Sequence, residues 1–144
     1  MSRLERYKYD GLSRRDGLRL LELHPANLTQ PEIDCTLLES RLIDPYSTQP
    51  VGQEIVKYEA VLWCWGPQVF SSILRIHKNS RVYEFLIVPN LESALRALRH
   101  SDRNRILWID AVCIYSRRTA TKCCRNLRFR PQFCEGFGFC LALP

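Results

Sequence analysis

The sequence predicts an α/β protein with an incomplete layered sheet and one clear amphipathic helix. The segment KYEAVLWCWGP is almost continuously apolar and ends at Gly-Pro, as expected of a strand covered on both faces. The segment PNLESALRALRH carries a leucine stripe at helical spacing, and the apolar ILWIDAVCI follows it after a short polar loop. A helix that leads into a buried strand is typical of an α/β layer.

Two strands are expected before these segments. An apolar run that ends at Pro25 predicts a strand at about residues 18–23, and the partly alternating IDCTLLES predicts a second strand. Residues 41–53 contain Asp-Pro, a further proline and a glycine, which predicts a loop.

A hairpin, the helix and a last strand are expected after residue 70. SILRIHK and VYEFLIV predict paired strands, because the intervening KNSR supplies turn residues. In the predicted helix Asn90 is expected as the N-cap and Glu92 lies in the first turn, where a negative charge favours the dipole. ILWIDAVCI is expected to form one buried strand. The helical stripe consists of Leu91, Ala94, Leu95 and Leu98.

The positive charge is concentrated at one end of the chain. The 144 residues have a net charge of +6, and residues 117–144 hold six basic residues against one acid, which accounts for +5. The same stretch contains four of the seven cysteines. We therefore predict one domain over residues 1–116 and a basic, cysteine-rich tail over residues 117–144.

The opening MSRLERYKYD is polar and charged, and no apolar run reaches the ~18–20 residues that span a bilayer. An odd number of cysteines without a secretory signal argues against a disulfide scaffold. The sequence thus predicts a cytoplasmic protein without membrane contact.

Two acids in apolar strands are weak catalytic candidates. Asp110 follows ILWI, where open α/β sheets place their ligand crevice, but it could equally cap or turn the chain there. Glu59 could share an acidic site with Asp110 and have its pKa raised by burial, or it could pair with an arginine. The structural alternative is favoured for both acids.

Other site types find little support. Trp63, Trp65 and Trp108 could stack on a ring but are expected in the core. The tail cysteines lack the spacing of a zinc site, and the glycines form no phosphate-binding pattern, so neither metal nor cofactor is predicted. The three histidines lack a nucleophile nearby and are expected at the surface. RNA contact through the basic tail is kept as an alternative.

Three segments in order, KYEAVLWCWG, VPNLESALRALRH and LWIDAVCI, resemble the blocks of the fungal heterokaryon incompatibility (HET) domain. With the lead-in YKYDGLSRRDGLRLLEL, the resemblance covers about residues 7–114. The residues that match the family motifs are Tyr58, Glu59, Ala60, Trp65, Gly66, Asn90, Leu91, Ala94, Leu95, Trp108, Ile109, Asp110, Ala111, Cys113 and Ile114.

The chain departs from the family pattern after Ile114. Tyr115 and Ser116 replace Asn-Gln, and the acidic helix that should follow is absent; Trp63 and Pro67 are smaller departures. We therefore expect a HET domain truncated after Trp-Ile-Asp-Ala-x-Cys-Ile, followed by a tail that is disordered or translated from another frame.

The resemblance implies a TIR-like or flavodoxin-like fold and a role in fungal non-self recognition linked to programmed cell death. Some similar domains consume NAD, but this chain is expected to be an inactive fragment. Protein partners, including self-association, are expected, whereas nucleic acid is not. The remaining alternative is a passive interaction fragment or a decayed gene product.

Overall fold

The computed structural model describes residues 3–13, 17–27, 29–41, 56–63, 69–114 and 139–142. In this part the chain forms one eight-stranded sheet with two helices, which confirms the mixed α/β class. The elements are β1 (Glu5–Arg6), β2 (Gly17–Leu23), β3 (Ile33–Arg41), β4 (Glu59–Trp63), β5 (Ser72–Lys78), β6 (Arg81–Ile87), α1 (Pro89–Leu98), β7 (Arg105–Ile109), α2 (Asp110–Cys113) and β8 (Phe139–Ala142).

The sheet is mixed, with the strand order β1-β6-β5-β3-β2-β7-β4-β8. The pairs β1/β6, β3/β5 and β4/β7 are parallel, and the other four described pairs are antiparallel. Flavodoxin-like sheets are mostly parallel. The finer likeness to TIR-like or flavodoxin-like domains therefore stays a prediction.

The β5–β6 hairpin forms where the sequence predicts it. Lys78 pairs with Arg81, which leaves a two-residue loop of Asn79 and Ser80. Both loop residues have positive φ, 49° and 62°, as a type I′ turn requires. This turn matches the twist of the two strands and fixes their register over seven residue pairs.

One face of the sheet forms the hydrophobic core. Alternate strand residues such as Leu21, Ile33 and Leu107 are fully buried there, because β-strand side chains point to opposite faces in turn. Helix α1 covers this face with its stripe, as predicted: Leu91, Ala94, Leu95 and Leu98 are all at most 5% exposed. The leucine stripe and the apolar strands thus belong to a single core.

The predicted N-cap of α1 is wrong by two residues. Val88 occupies the N-cap position without a side-chain bond, Pro89 opens the helix, and Asn90 is an exposed helical residue. Proline suits the first helical position because its missing N–H would have no partner there. On the outer face the Arg96 Nη2 lies 2.6 Å from the Glu92 carboxylate.

The single strand predicted from ILWIDAVCI is also corrected. β7 ends at Ile109, and the next four residues form the short helix α2. Val112 and Cys113 are buried as part of the short helix α2 and do not extend the strand.

The tail contributes one described element. Residues 139–142 form β8, which pairs antiparallel with β4, whereas residues 115–138 lie outside the described part. The loop predicted at residues 41–53 lies outside it as well, except for Arg41 at the end of β3. Of the helices described here, none has the length and apolar character needed to cross a bilayer.

Truncation of the central helix leucine tests this packing. We expect Leu95→Ala to lower the free energy of unfolding by about 2–5 kcal/mol, because Leu95 is fully buried between α1 and the sheet. Asn90→Ala is the matched control on the same helix and should cost less than ~0.5 kcal/mol. Urea unfolding measures both. A loss near 1 kcal/mol for Asn90→Ala would restore Asn90 as a cap.

Candidate functional site

Glu59 is engaged in an ion pair at the parallel junction of β4 and β7. Its carboxylate accepts two hydrogen bonds from Arg105, from Nε at 3.0 Å and from Nη2 at 2.5 Å. The third nitrogen, Nη1, donates to the Leu98 carbonyl at 2.9 Å, at the end of α1. Glu59 therefore helps to hold two strands and a helix together.

The acidity of Glu59 differs from the expectation for a shared acidic site. The hydrogen bonds from Arg105 lower the pKa of the Glu59 carboxyl, although burial opposes this. Of the two alternatives for Glu59, a shared acidic site with a raised pKa or a pair with an arginine, the contacts and the lowered pKa agree with the favoured arginine pair. At neutral pH Glu59 is an ionised carboxylate bonded to the Arg105 guanidinium. This state favours a structural role over a role in proton transfer.

Asp110 lies at the first position of α2, immediately after β7. Its Oδ1 accepts a hydrogen bond from the Ala111 N–H at 2.7 Å, and its own carbonyl accepts from the Ile114 N–H at 3.1 Å. These are the contacts of a residue that turns the chain from strand to helix. The acid also suits the positive end of the helical turn.

The structure does not bring Glu59 and Asp110 to one level of the sheet. Glu59 pairs with Leu107 at the start of β4, and Asp110 follows the end of β7, three residues beyond Leu107. Because β4 and β7 are parallel with a rise of ~3.3 Å per residue, the two acids are offset by about 10 Å along the strands. The geometry offers no shared carboxylate pair.

Of the three tryptophans, Trp108 lies within the description and packs against the hydrophobic core, which confirms its predicted role. Trp63 is placed in β4 by its backbone alone, and Trp65 lies outside the described residues.

Sequence reasoning missed a polar cluster on the sheet face opposite α1, formed by His24, Asp34, Thr36, Arg75 and His77. Asp34, 9% exposed, receives hydrogen bonds from Arg75 Nε at 2.8 Å and Nη2 at 2.7 Å, and His77 Nε2 lies 2.7 Å from its Oδ1. Parallel pairing of β3 with β5 sets Asp34 beside Arg75 and Thr36 beside His77.

Two histidines expected at the surface are half-buried members of this polar cluster. His24 Nε2 lies 2.8 Å from Thr36 Oγ1, and the His24 and His77 rings are 5.1 Å apart between centroids. Burial and the neighbouring His77 lower the pKa of His24. Burial opposes ionisation of Asp34, but the bonds from Arg75 and His77 hold its pKa below the usual value. The cluster can therefore respond to acid.

No group of three or more histidine, cysteine or acidic side chains in the described ranges is arranged to hold a metal ion. Cys35 and Cys113 are buried free thiols, and burial raises the pKa of Cys113 to about 11. Three of the tail cysteines lie at positions outside the description.

Residues 58–124 match the family described as heterokaryon incompatibility protein (HET). The matched segment, 67 of the 144 residues, is similar to that family. No curated protein and no solved structure matched the chain. The HET segment, residues 58–124, begins after the lead-in region and continues ten residues past Ile114. The expectation that residues 115–144 come from another frame stays a prediction.

The described motif residues of the HET segment lie in and around one core. Ala60 is in β4, and Leu91, Ala94 and Leu95 are buried in α1. Ile109 and Cys113 are buried at the junction of β7 and α2, and Ala111 packs against the same core. Tyr58 is half-buried just before β4, Ile114 is exposed after α2, and Trp65 and Gly66 lie outside the description.

A double-mutant cycle tests the Glu59–Arg105 pair. We expect Glu59→Gln and Arg105→Gln each to destabilise the fold, with a coupling energy of about 1 kcal/mol, the upper end for partly exposed pairs, because the contact is bidentate. Chemical unfolding of the two single variants and the double variant gives the coupling. Additive losses would show that the pair does not hold the strands together.

Titration of the polar cluster provides a second test. Because the pKa of His24 is lower in the folded protein than its usual value of 6.5, the unfolded chain binds this proton more readily as the pH falls. The free energy of unfolding is therefore greatest above about pH 6.5 and decreases below it. Thermal midpoints between pH 7.5 and 5 should therefore fall less for His24→Gln than for the unchanged protein. His100→Gln, outside the cluster, is the control, and an equal slope in all three proteins contradicts the assignment.

Proposed function

We propose that this chain acts in fungal non-self recognition, in the incompatibility response that ends in programmed cell death. Its contribution is made by protein contacts, and Glu59 has no catalytic part in it. One observation carries the proposal: the blocks of the HET segment meet as β4, α1 and β7 around one core, with Glu59 bonded to Arg105.

This arrangement favours an interaction module over an enzyme. The two acidic candidates are used to join elements, Glu59 between strands and Asp110 at the strand-to-helix turn. Each already has a bonding partner within the fold, and the offset between them prevents joint acid and base chemistry on one substrate. RNA contact through the tail stays a prediction, since residues 115–138 lie outside the described part.

Genetic complementation in the source fungus tests the proposal. Deletion of the gene should weaken the incompatible reaction, scored as vital-dye uptake in fused cells, against at least one tester strain. Reintroduction of the Glu59→Gln gene should restore the reaction, because contacts and not chemistry at Glu59 are required. Leu95→Asp, which places a charge in the core, should not restore it.

Immunoblots must show that the Glu59→Gln protein accumulates to the unchanged level. Unaltered reactions with every tester after deletion would refute a recognition role. The chain would be an enzyme and not an interaction module if two results coincide: the Glu59→Gln protein accumulates but does not restore the reaction, and the purified unchanged protein consumes NAD. Loss of the protein by degradation in every strain would favour a decayed gene product.

A further inference from the structure

A cleft with a volume of about 590 Å³ lies beside α2, between residues 9–12 and the junction of β2 with β7. Its size falls in the range of small-molecule sites, ~300–1,000 Å³. Apolar side chains provide much of its wall, among them Leu12, Leu18, Trp108 and Ile114. Such a wall suits the carbon body of a ligand.

One buried cation also lines this cleft. Arg19 is 9% exposed, and its guanidinium carbon lies 4.7 Å from the centroid of the Tyr9 ring. Nη1 donates to the Cys113 carbonyl at 3.2 Å, and Nη2 donates to the Asp10 carbonyl at 2.8 Å. These contacts fix the guanidinium but do not neutralise its charge.

Two described acids on neighbouring segments, Asp10 and Glu39, are bonded to residues other than Arg19. Asp10 forms an ion pair with Lys78 through its carboxylate. Glu39, opposite Arg19 on β3, accepts hydrogen bonds from the Ser13 N–H at 2.9 Å and hydroxyl at 2.8 Å. Among the described residues no carboxylate lies within ion-pair distance of Arg19.

The other ionisable groups that touch Arg19 do not supply a negative charge. Burial raises the pKa of the Tyr9 phenol well above its usual value, and the phenol donates to the Val112 carbonyl at 2.6 Å. Burial likewise raises the pKa of the Cys113 thiol to about 11. Both groups are neutral at pH 7, so neither provides Arg19 with an anionic partner in direct contact.

The geometry points to this cleft as a binding site for a small organic carboxylate with an apolar body. A guanidinium has five N–H donors, and two are used by Arg19, so three are left for a carboxylate that can accept two of them side by side. The body of the ligand lies against Leu18 and Trp108. Ligand binding thereby supplies an anion in direct contact with Arg19, which has no such partner among the described residues.

An NMR titration with 1-naphthoate tests the inference on the full chain. The backbone amides of Gly11 and Gly17 and the indole N–H of Trp108 should shift saturably. The neutral analogue 1-naphthalenemethanol should bind at least tenfold more weakly, because it lacks the charge that Arg19 pairs with. Equal affinity for the two compounds, or no saturable shift at these positions, would overturn the assignment.

Variants separate the charge from the fold. Arg19→Gln should weaken 1-naphthoate binding at least tenfold, whereas Arg103→Gln, which removes an exposed arginine elsewhere, should leave it unchanged. Gly11→Phe covers the case in which Arg19→Gln does not fold. A Cβ added at Gly11, which lines the cleft, meets no atom within 4 Å, so this variant should fold, and we expect its ring to obstruct the cleft. Undiminished binding by Gly11→Phe would exclude this site.

Discussion

The Arg105 guanidinium connects two strands and a helix of this protein. It lies on β7, holds both oxygens of Glu59 on β4, and donates to the last turn of α1 through the Leu98 carbonyl. β4 and β7 are parallel neighbours, and the 41 residues 64–104 separate the end of β4 from the start of β7. Parallel strands need such a crossover connection. One side chain thus fixes where the crossover returns.

The two faces of the sheet contribute to stability in different ways. One face is apolar and covered by α1, so it supplies the burial that stabilises the fold. The opposite face carries the polar cluster, in which the Asp34 carboxylate is satisfied by Arg75 and His77. A buried carboxylate is tolerable only when it is paired, and here the partners come from the neighbouring strand β5. The strand pairing is therefore required by the charge as well as by the backbone.

Local patterns in the sequence were sufficient for much of the fold. The stripe of α1 and the hairpin turn at Asn79 and Ser80 follow from residue spacing and turn chemistry, which act over a few positions. Pro89 marks the start of α1 more strongly than Asn90 does, because proline suits the first helical position. The end of β7 does not follow from spacing, because a short apolar run fits a strand and a helix alike. The sequence predicts an arginine as the partner of Glu59 but does not identify which arginine.

The polar cluster and the Arg19 cleft could not be read from spacing, because both depend on non-local contacts. Asp34 and Arg75 are 41 residues apart, and Arg19 meets the Cys113 carbonyl across 94 residues. Within β3 the alternation that buries Ile33 and Cys35 assigns Asp34 to the other face, which suggests exposure. Asp34 is paired on that face because β5, which carries Arg75 and His77, lies beside β3.

The match to the HET family covers only part of the cleft. Trp108, Cys113 and Ile114 belong to the matched segment, whereas Arg19, its Tyr9 partner and Leu18 come from residues before it. The motif residues form the core, and one of them, Cys113, provides the α2 carbonyl that accepts a hydrogen bond from Arg19. The preceding segment provides Arg19 itself and part of the apolar wall of the cleft. Because the motif residues and Arg19 come from separate segments, a substitution at Arg19 changes the charge of the cleft while the residues that pack α1 on the sheet stay the same.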